Sequence, residues 1–202
     1  MTKLTLDIHQ DIDAESPREW DNLGTMACQH SRYNLGDQDG KALLLEAVEA
    51  NQHYCEAWSN PNSKHYKDLD NLYGAYHIAK SLGFTVLPLY LYDHGGITMS
   101  TSPFACQWDS GQVGFIFVSP DRIRAEFGVK RITPKLRSKV EAHLRREVET
   151  YDHYITGNVW GFTLENGEGE IVSSCYGFYG EHETSGLNET VAYSISDCEV
   201  VK

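Results

Sequence analysis

The sequence predicts an α+β fold: one domain over residues 1–202, with a mostly antiparallel sheet and amphipathic helices packed on it. Three observations carry this prediction. Residues 84–118 hold three apolar, β-branched and aromatic runs, broken by Gly, Asp, Ser and Pro, as buried strands are. Val159 to Leu164 and Ile171 to Tyr176 are two further strand-like runs, joined by a turn in which Asn166-Gly167 is a hairpin signal. Between them Leu136, Val140, Leu144, Val148, Tyr151 and Ile155 recur every three or four residues, as on one face of a helix. Hairpins beside segregated helices are the mark of the α+β class.

Taken in order, Leu4 to Ile8 alternates apolar and polar residues and reads as a short strand. Gln10 to Gly40 has little periodicity and is dense in Asp, Asn and Gly, with Trp20, Met26 and Tyr33 as apolar anchors. A segment this long inside a domain is usually functional or contains an unrecognised element. Lys41 to Trp58 reads as a helix with Leu44, Val48, Cys55 and Trp58 on one face. Ser63 then caps a second helix from about residue 65 to Leu82, with Leu69, Leu72, Tyr73, Tyr76 and Ile78 toward the core and Gly83 as its stop. Ser119-Pro120 and Thr133-Pro134 each place a capping hydroxyl before a proline at the first helical position. They open a short helix over 120–127 and a long one ending near Thr156, before Gly157-Asn158. A last short helix is expected over 187–194.

At 202 residues the chain can bury a sizeable core, and no linker or internal repeat divides it. Its longest apolar run is far short of the roughly 20 residues that a membrane helix needs. The opening MTKLTLDIHQD has no apolar stretch of the kind a secretory leader carries. Five cysteines without CxxC spacing suggest reduced thiols in a cytoplasm.

The net charge is −12, unevenly placed. Residues 122–146 hold 9 Lys and Arg against 2 acids, or +7, and the remainder holds 8 against 27, or −19. A chain this polarised attracts a basic partner on one face and an anion on another. The plainer alternative is a solvated helix face paired with acidic neighbours.

Chemistry is sought at the strand ends. Asp93-His94-Gly95-Gly96 can hold a histidine in one tautomer beside a carboxylate, with glycines that let a ligand approach. The same four residues also suit a tight turn. In Trp108-Asp109-Ser110-Gly111-Gln112, one reading presents Asp109 and Ser110 to a ligand, with Trp108 as a stacking platform and Gln112 beside it. The other makes an Asx turn with Trp108 buried. GxSxG is absent, since Gln107 stands at its first position. Cys106 is a possible thiolate partner of His94. The catalytic candidates are therefore Asp93, His94, Asp109 and Ser110, and the ligand-binding candidates Trp108, Gln112, Arg122 and Arg124. The nine histidines show no metal spacing, and His53, His65, His77, His143 and His153 read as surface residues. Walker A, Rossmann and kinase signatures are missing, so no metal or cofactor is assigned.

Four stretches, PREWDNLGTMACQHSRYNLGD (17–37), LYLYDHGGITMS (89–100), WDSGQVGFI (108–116) and SCYGFYG (174–180), resemble a family of small proteins encoded by bacteriophages and mobile elements. The resemblance covers most of the chain. It implies a phage setting, in which small acidic proteins act as accessory factors against host defences, and it attaches no catalytic residue. The expectation is a non-enzymatic, phage-encoded accessory protein in the host cytoplasm. Its acidic surface would inhibit a basic host protein of nucleic-acid processing or defence. The alternatives are a nucleotide-binding pocket at Asp93, His94 and Asp109, with Arg122 and Arg124 countering phosphate charge, or a hydrolase using the same residues.

Overall fold

The computed structural model describes residues 3–38, 40–49 and 72–200. The fold is α+β, and every strand pair among the described residues is antiparallel. The sequence reads as one domain; the structure distinguishes two compact units, a middle unit (Trp20–Glu149) and a terminal unit (Met1–Glu19 with Thr150–Lys202).

The middle unit carries a four-stranded sheet in the order β2-β5-β3-β4, with β2 Thr25–Cys28, β3 Thr85–Asp93, β4 Ile97–Ser100 and β5 Ser110–Val118. In β3 the residues Thr85, Leu87, Leu89 and Leu91 are buried and their neighbours half-buried, so the period of two sets which side meets the deeper core. β5 is buried on both faces from Val113 onward. On one face Ala27, Phe115, Phe117 and Phe84 pack against Leu44 of α1 (Gly40–Glu49) and Ile78, Ala79 and Leu82 of and after α2 (Leu72–Ser81). Tyr76 stacks on Phe115 with ring centroids 4.4 Å apart.

The other face bears Leu87 opposite Ile116 and receives the long helix α4 (Pro134–Ile155). A Cβ at Gly24 would stand 2.5 Å from Leu144 and 2.8 Å from Ile116, so backbone, helix and sheet meet there with no room to spare. The Arg137 guanidinium donates to the carbonyls of Gly83 (3.2 Å) and Phe84 (3.3 Å) and to Thr85 Oγ1 (3.0 Å), which fixes the first turns of α4 at the start of β3. α3 (Pro120–Phe127) begins as expected, with Ser119 accepting from Arg122 N and Gly128 closing the helix at φ 61°.

The terminal unit holds a three-stranded sheet, β1-β6-β7, of Thr5–Gln10, Val159–Glu165 and Ile171–Tyr179. α5 (Leu187–Val200), longer than expected, packs Leu187 and Val191 against Phe162 and Phe178, with Ile8, Trp160, Cys175 and Ile195 around them. On the opposite face Tyr176 lies across Gly161, where a Cβ would run into its ring, and meets His9 edge-on at 5.6 Å. The hairpin stands where expected, but its turn differs. Asn166 Oδ1 accepts from the amides of Glu168 (2.9 Å) and Glu170 (3.0 Å), and the left-handed residue is Gly169 (φ 81°) rather than Gly167.

Several other expectations are met or refined. The long aperiodic segment contains β2 and a short 3-10 turn over Pro17–Glu19. Met26 anchors it at zero exposure, while Trp20 is 42% exposed. Gly83 ends α2 at φ 85°. Cys55, Trp58, Ser63, Leu69, His53 and His65 lie outside the described residues. Cys106, Cys175 and Cys198 are free thiols. No helix among the described residues is long and apolar enough to cross a membrane.

Candidate functional site

In the middle unit, β3 and β4 are joined through His94-Gly95-Gly96, with Asp93 opposite Ile97 and His94 N donating to Gly96 O at 3.0 Å. Gly95, the first of the two glycines, takes φ 71°, a left-handed conformation that glycine adopts without strain. Asp93 N donates to Asp109 O at 2.8 Å, so the beginning of β5 is fastened to the end of β3. The sheet therefore gathers Asp93, His94, Asp109 and Ser110 at one end, as the strand-end reading expects.

Their side chains are already engaged with each other and with neighbours. Asp93 accepts from Arg32 and, at 3.2 Å, from the Tyr33 hydroxyl. Arg32 also lies 5.5 Å above the Tyr33 ring. His94 Nδ1 stands 3.3 Å from Asp109 Oδ2, and the same oxygen accepts from Cys106 Sγ at 3.5 Å. His94 and Cys106 thus share Asp109 as partner instead of forming a thiolate–imidazole pair. Ser110 donates its hydroxyl to the Cys106 carbonyl, rather than to His94. A base and its orienting carboxylate are present, but the serine proton is committed elsewhere, so the nucleophile–base link of a hydrolytic triad is not formed.

Trp108 is 95% exposed, which sets aside the reading in which it is buried beneath an Asx turn. Gln112 turns back on its own strand, donating to Gly114 O at 3.4 Å. It lines a groove of about 430 Å³ with Gln29, His30 and Ser31. Arg122 and Arg124 do not join the strand-end group. They follow the far end of β5, whose nine residues span about 26 Å at 3.3 Å per residue. Arg122 pairs with Asp21 at 3.0 Å and Arg124 with Asp121 at 2.6 Å. A phosphate at Asp93 and Asp109 would gain nothing from them. The basic window instead behaves in part as the plainer reading expects, with ion pairs at Arg122 and Arg124 and backbone contacts at Arg137.

The groups that sequence reasoning missed lie mostly off this end. Glu147, only 9% exposed, accepts from Leu23 N (2.9 Å) and Gly24 N (3.2 Å) and pairs with His143 Nε2 at 3.2 Å. Its signal was present: residue 147 continues the 140, 144, 151 stripe, so a carboxylate there needed buried donors. In the terminal unit, Asn158 donates to Glu181 (3.3 Å), lies 3.3 Å from His153 Nδ1 and accepts from Trp160 Nε1 (2.8 Å). Tyr179 donates to the Glu15 carbonyl, and Asp11 accepts from Gly177 N at 3.0 Å. Burial, then the nearby Asp11 and Glu15 carboxylates and Tyr154, push the Tyr179 hydroxyl above its usual value of 10.0. Nothing in local spacing announces these long-range partners. No group of three or more metal-ligating side chains occurs among the described residues.

No protein-family model, curated protein or solved structure matches the chain.

Proposed function

We propose that this protein acts by binding, and that its terminal unit is the acidic surface that engages a basic partner. The observation that carries the reading is the partition of charge. Residues 1–19 and 150–202 hold 3 Lys and Arg against 14 Asp and Glu, or −11, while residues 20–149 hold 14 against 15, or −1. Almost the whole net charge of −12 thus belongs to one unit. Most of its described carboxylates lie at the surface, Asp7, Asp13, Glu15, Glu19, Glu168, Glu170, Glu181, Glu183, Glu189 and Asp197 being exposed and Asp11, Asp152 and Glu165 half-buried. A concentrated field of one sign speeds and orients docking to an opposite field. In the phage setting that the resemblance implies, the target is a basic host protein of nucleic-acid processing or defence, in the host cytoplasm, and the consequence is inhibition.

Pull-down of purified restriction, CRISPR-type and related host factors at low and high salt tests this. Association lost at high salt supports the reading; no salt-sensitive association with any of them defeats it. His94→Ala and Asp109→Asn should both retain full inhibition, because the strand end of the middle unit takes no part.

A second reading, a small-ligand site at that strand end, is favoured by the exposed indole of Trp108 next to Asp109 and the His94–Asp109 pair. A thermal-shift screen against nucleotides and cyclic nucleotides decides it: stabilisation lost in Trp108→Ala supports the site, and no shift with any of them removes it. A hydrolase would need turnover abolished by His94→Ala.

A further inference from the structure

We infer that the outer edge of β7 is the docking strip of the terminal unit, and that it takes a short, extended, basic segment of a partner protein as an added strand. The inference rests on the acidic-surface reading and specifies where and how that surface is used. Among the described residues β7 has one strand neighbour, β6, and stands at the rim of its sheet. Strands at a rim are ordinarily guarded by charged side chains, especially lysine, or by proline. From Ile171 to Gly180 the sequence IVSSCYGFYG contains neither a charge nor a proline. Ile171, Val172 and Tyr176 are 62%, 43% and 51% exposed along it. The carboxylates stand just outside the strip, Glu168 and Glu170 before it and Glu181 and Glu183 after it, all exposed. An edge free of charge and proline, bulged only at Val172 and Tyr176-Gly177, between two acidic ends suits an extended chain that offers backbone hydrogen bonds along its middle and Lys or Arg toward its ends.

A second copy of this chain is the poorer occupant. Each copy would bring its own −11 unit to the contact. The pairing of β7 with β6 also shifts register twice, once around Val172 and once around Tyr176-Gly177. Such bulges leave Ser173–Cys175 as the regular stretch, too short to template a long rigid strand but sufficient for a flexible peptide.

The full chain, titrated with a synthetic peptide of alternating Lys and Val and with oligolysine of equal charge, tests the inference, with amide hydrogen exchange as the second readout. The alternating peptide should bind about tenfold more tightly than oligolysine, lose affinity with salt and slow exchange in Ser173–Cys175. Ser174→Pro should remove the advantage, and the exchange measurement on the unaltered chain stands even where that variant fails to fold. Equal binding of both peptides without protection of β7 overturns the edge while leaving the acidic surface in place. Binding of neither at low salt removes both readings. Protection of β7 in a peptide-free dimer assigns the edge to a second copy and overturns the inference.

Discussion

The two units solve the same problem, covering a small antiparallel sheet, in opposite ways. The middle unit buries both faces of its sheet, beneath α1 and α2 on one side and α4 on the other, and its charges nearly cancel. The terminal unit buries one face beneath α5, leaves Tyr176 and His9 on the other, keeps an uncharged strand at its rim and carries nearly all the net charge. A sheet closed on both faces has only its short rim strands, β2 and β4, and its loops left to offer a partner. A sheet closed on one face, with like charges held apart on its surface, retains both an edge and a field. On the proposed reading, the middle unit supplies shape and the terminal one supplies contact.

Truncations of the two cores should give the largest effects. Leu144→Ala and Phe162→Ala, each at zero exposure, should cost about 3 and about 4 kcal/mol in denaturant unfolding. If the comparison is right, hydrogen exchange accelerates first in β5 for Leu144→Ala and first in β6 for Phe162→Ala; equal acceleration in both sheets would merge the two cores. Next comes Glu147→Ala, which strands the amides of Leu23 and Gly24 and should cost about 2 kcal/mol, with Glu147→Gln recovering part of it. An unchanged unfolding midpoint for the alanine variant would deny that carboxylate its place in the middle unit.

A smaller effect belongs to alkaline pH and to the terminal unit. Because Tyr179 holds its proton more tightly folded than unfolded, its contribution is complete below about pH 10 and is lost as pH rises through the higher folded value. The unfolding midpoint should fall less steeply above pH 10 in Tyr179→Phe than in the parent chain; parallel curves would refute the assignment. The smallest effect is expected at Trp108. At 95% exposure it contributes no core contact, and Trp108→Ala should change stability by less than about 0.5 kcal/mol. It should also leave binding of the basic peptide untouched, and a large loss there would move the contact surface to the middle unit.

Much of the fold was legible because its signals are local. The alternation in β3, the Ser119-Pro120 and Thr133-Pro134 caps, the Gly83 stop and the stripe along α4 each act over a few residues. β2 was illegible because four residues, Thr25–Cys28, are too few to establish a period, and their burial comes from pairing with β5 some ninety positions away. The strand end was legible in part. That Asp93, His94 and Asp109 stand at strand ends follows from where the runs stop, whereas their convergence, and the reach of Arg32 and Tyr33 to Asp93 from a segment without a pattern, comes from strand pairing. Arg122 and Arg124 were misplaced because charge composition carries no direction, and only the length of β5 shows that they lie at its other end.

By itself the sequence determined the class of the fold, the identity of most elements and the amount of charge, since each follows from side chains acting on near neighbours or from simple counting. Tertiary structure alone decided that the chain closes two sheets, that the net negative charge falls to one of the two units, that Glu147 answers two buried amides and that β7 stands at a rim. Those outcomes depend on which distant segments pair, and the free energy of such pairing is set by burial and hydrogen bonding across the whole sheet rather than by any one stretch.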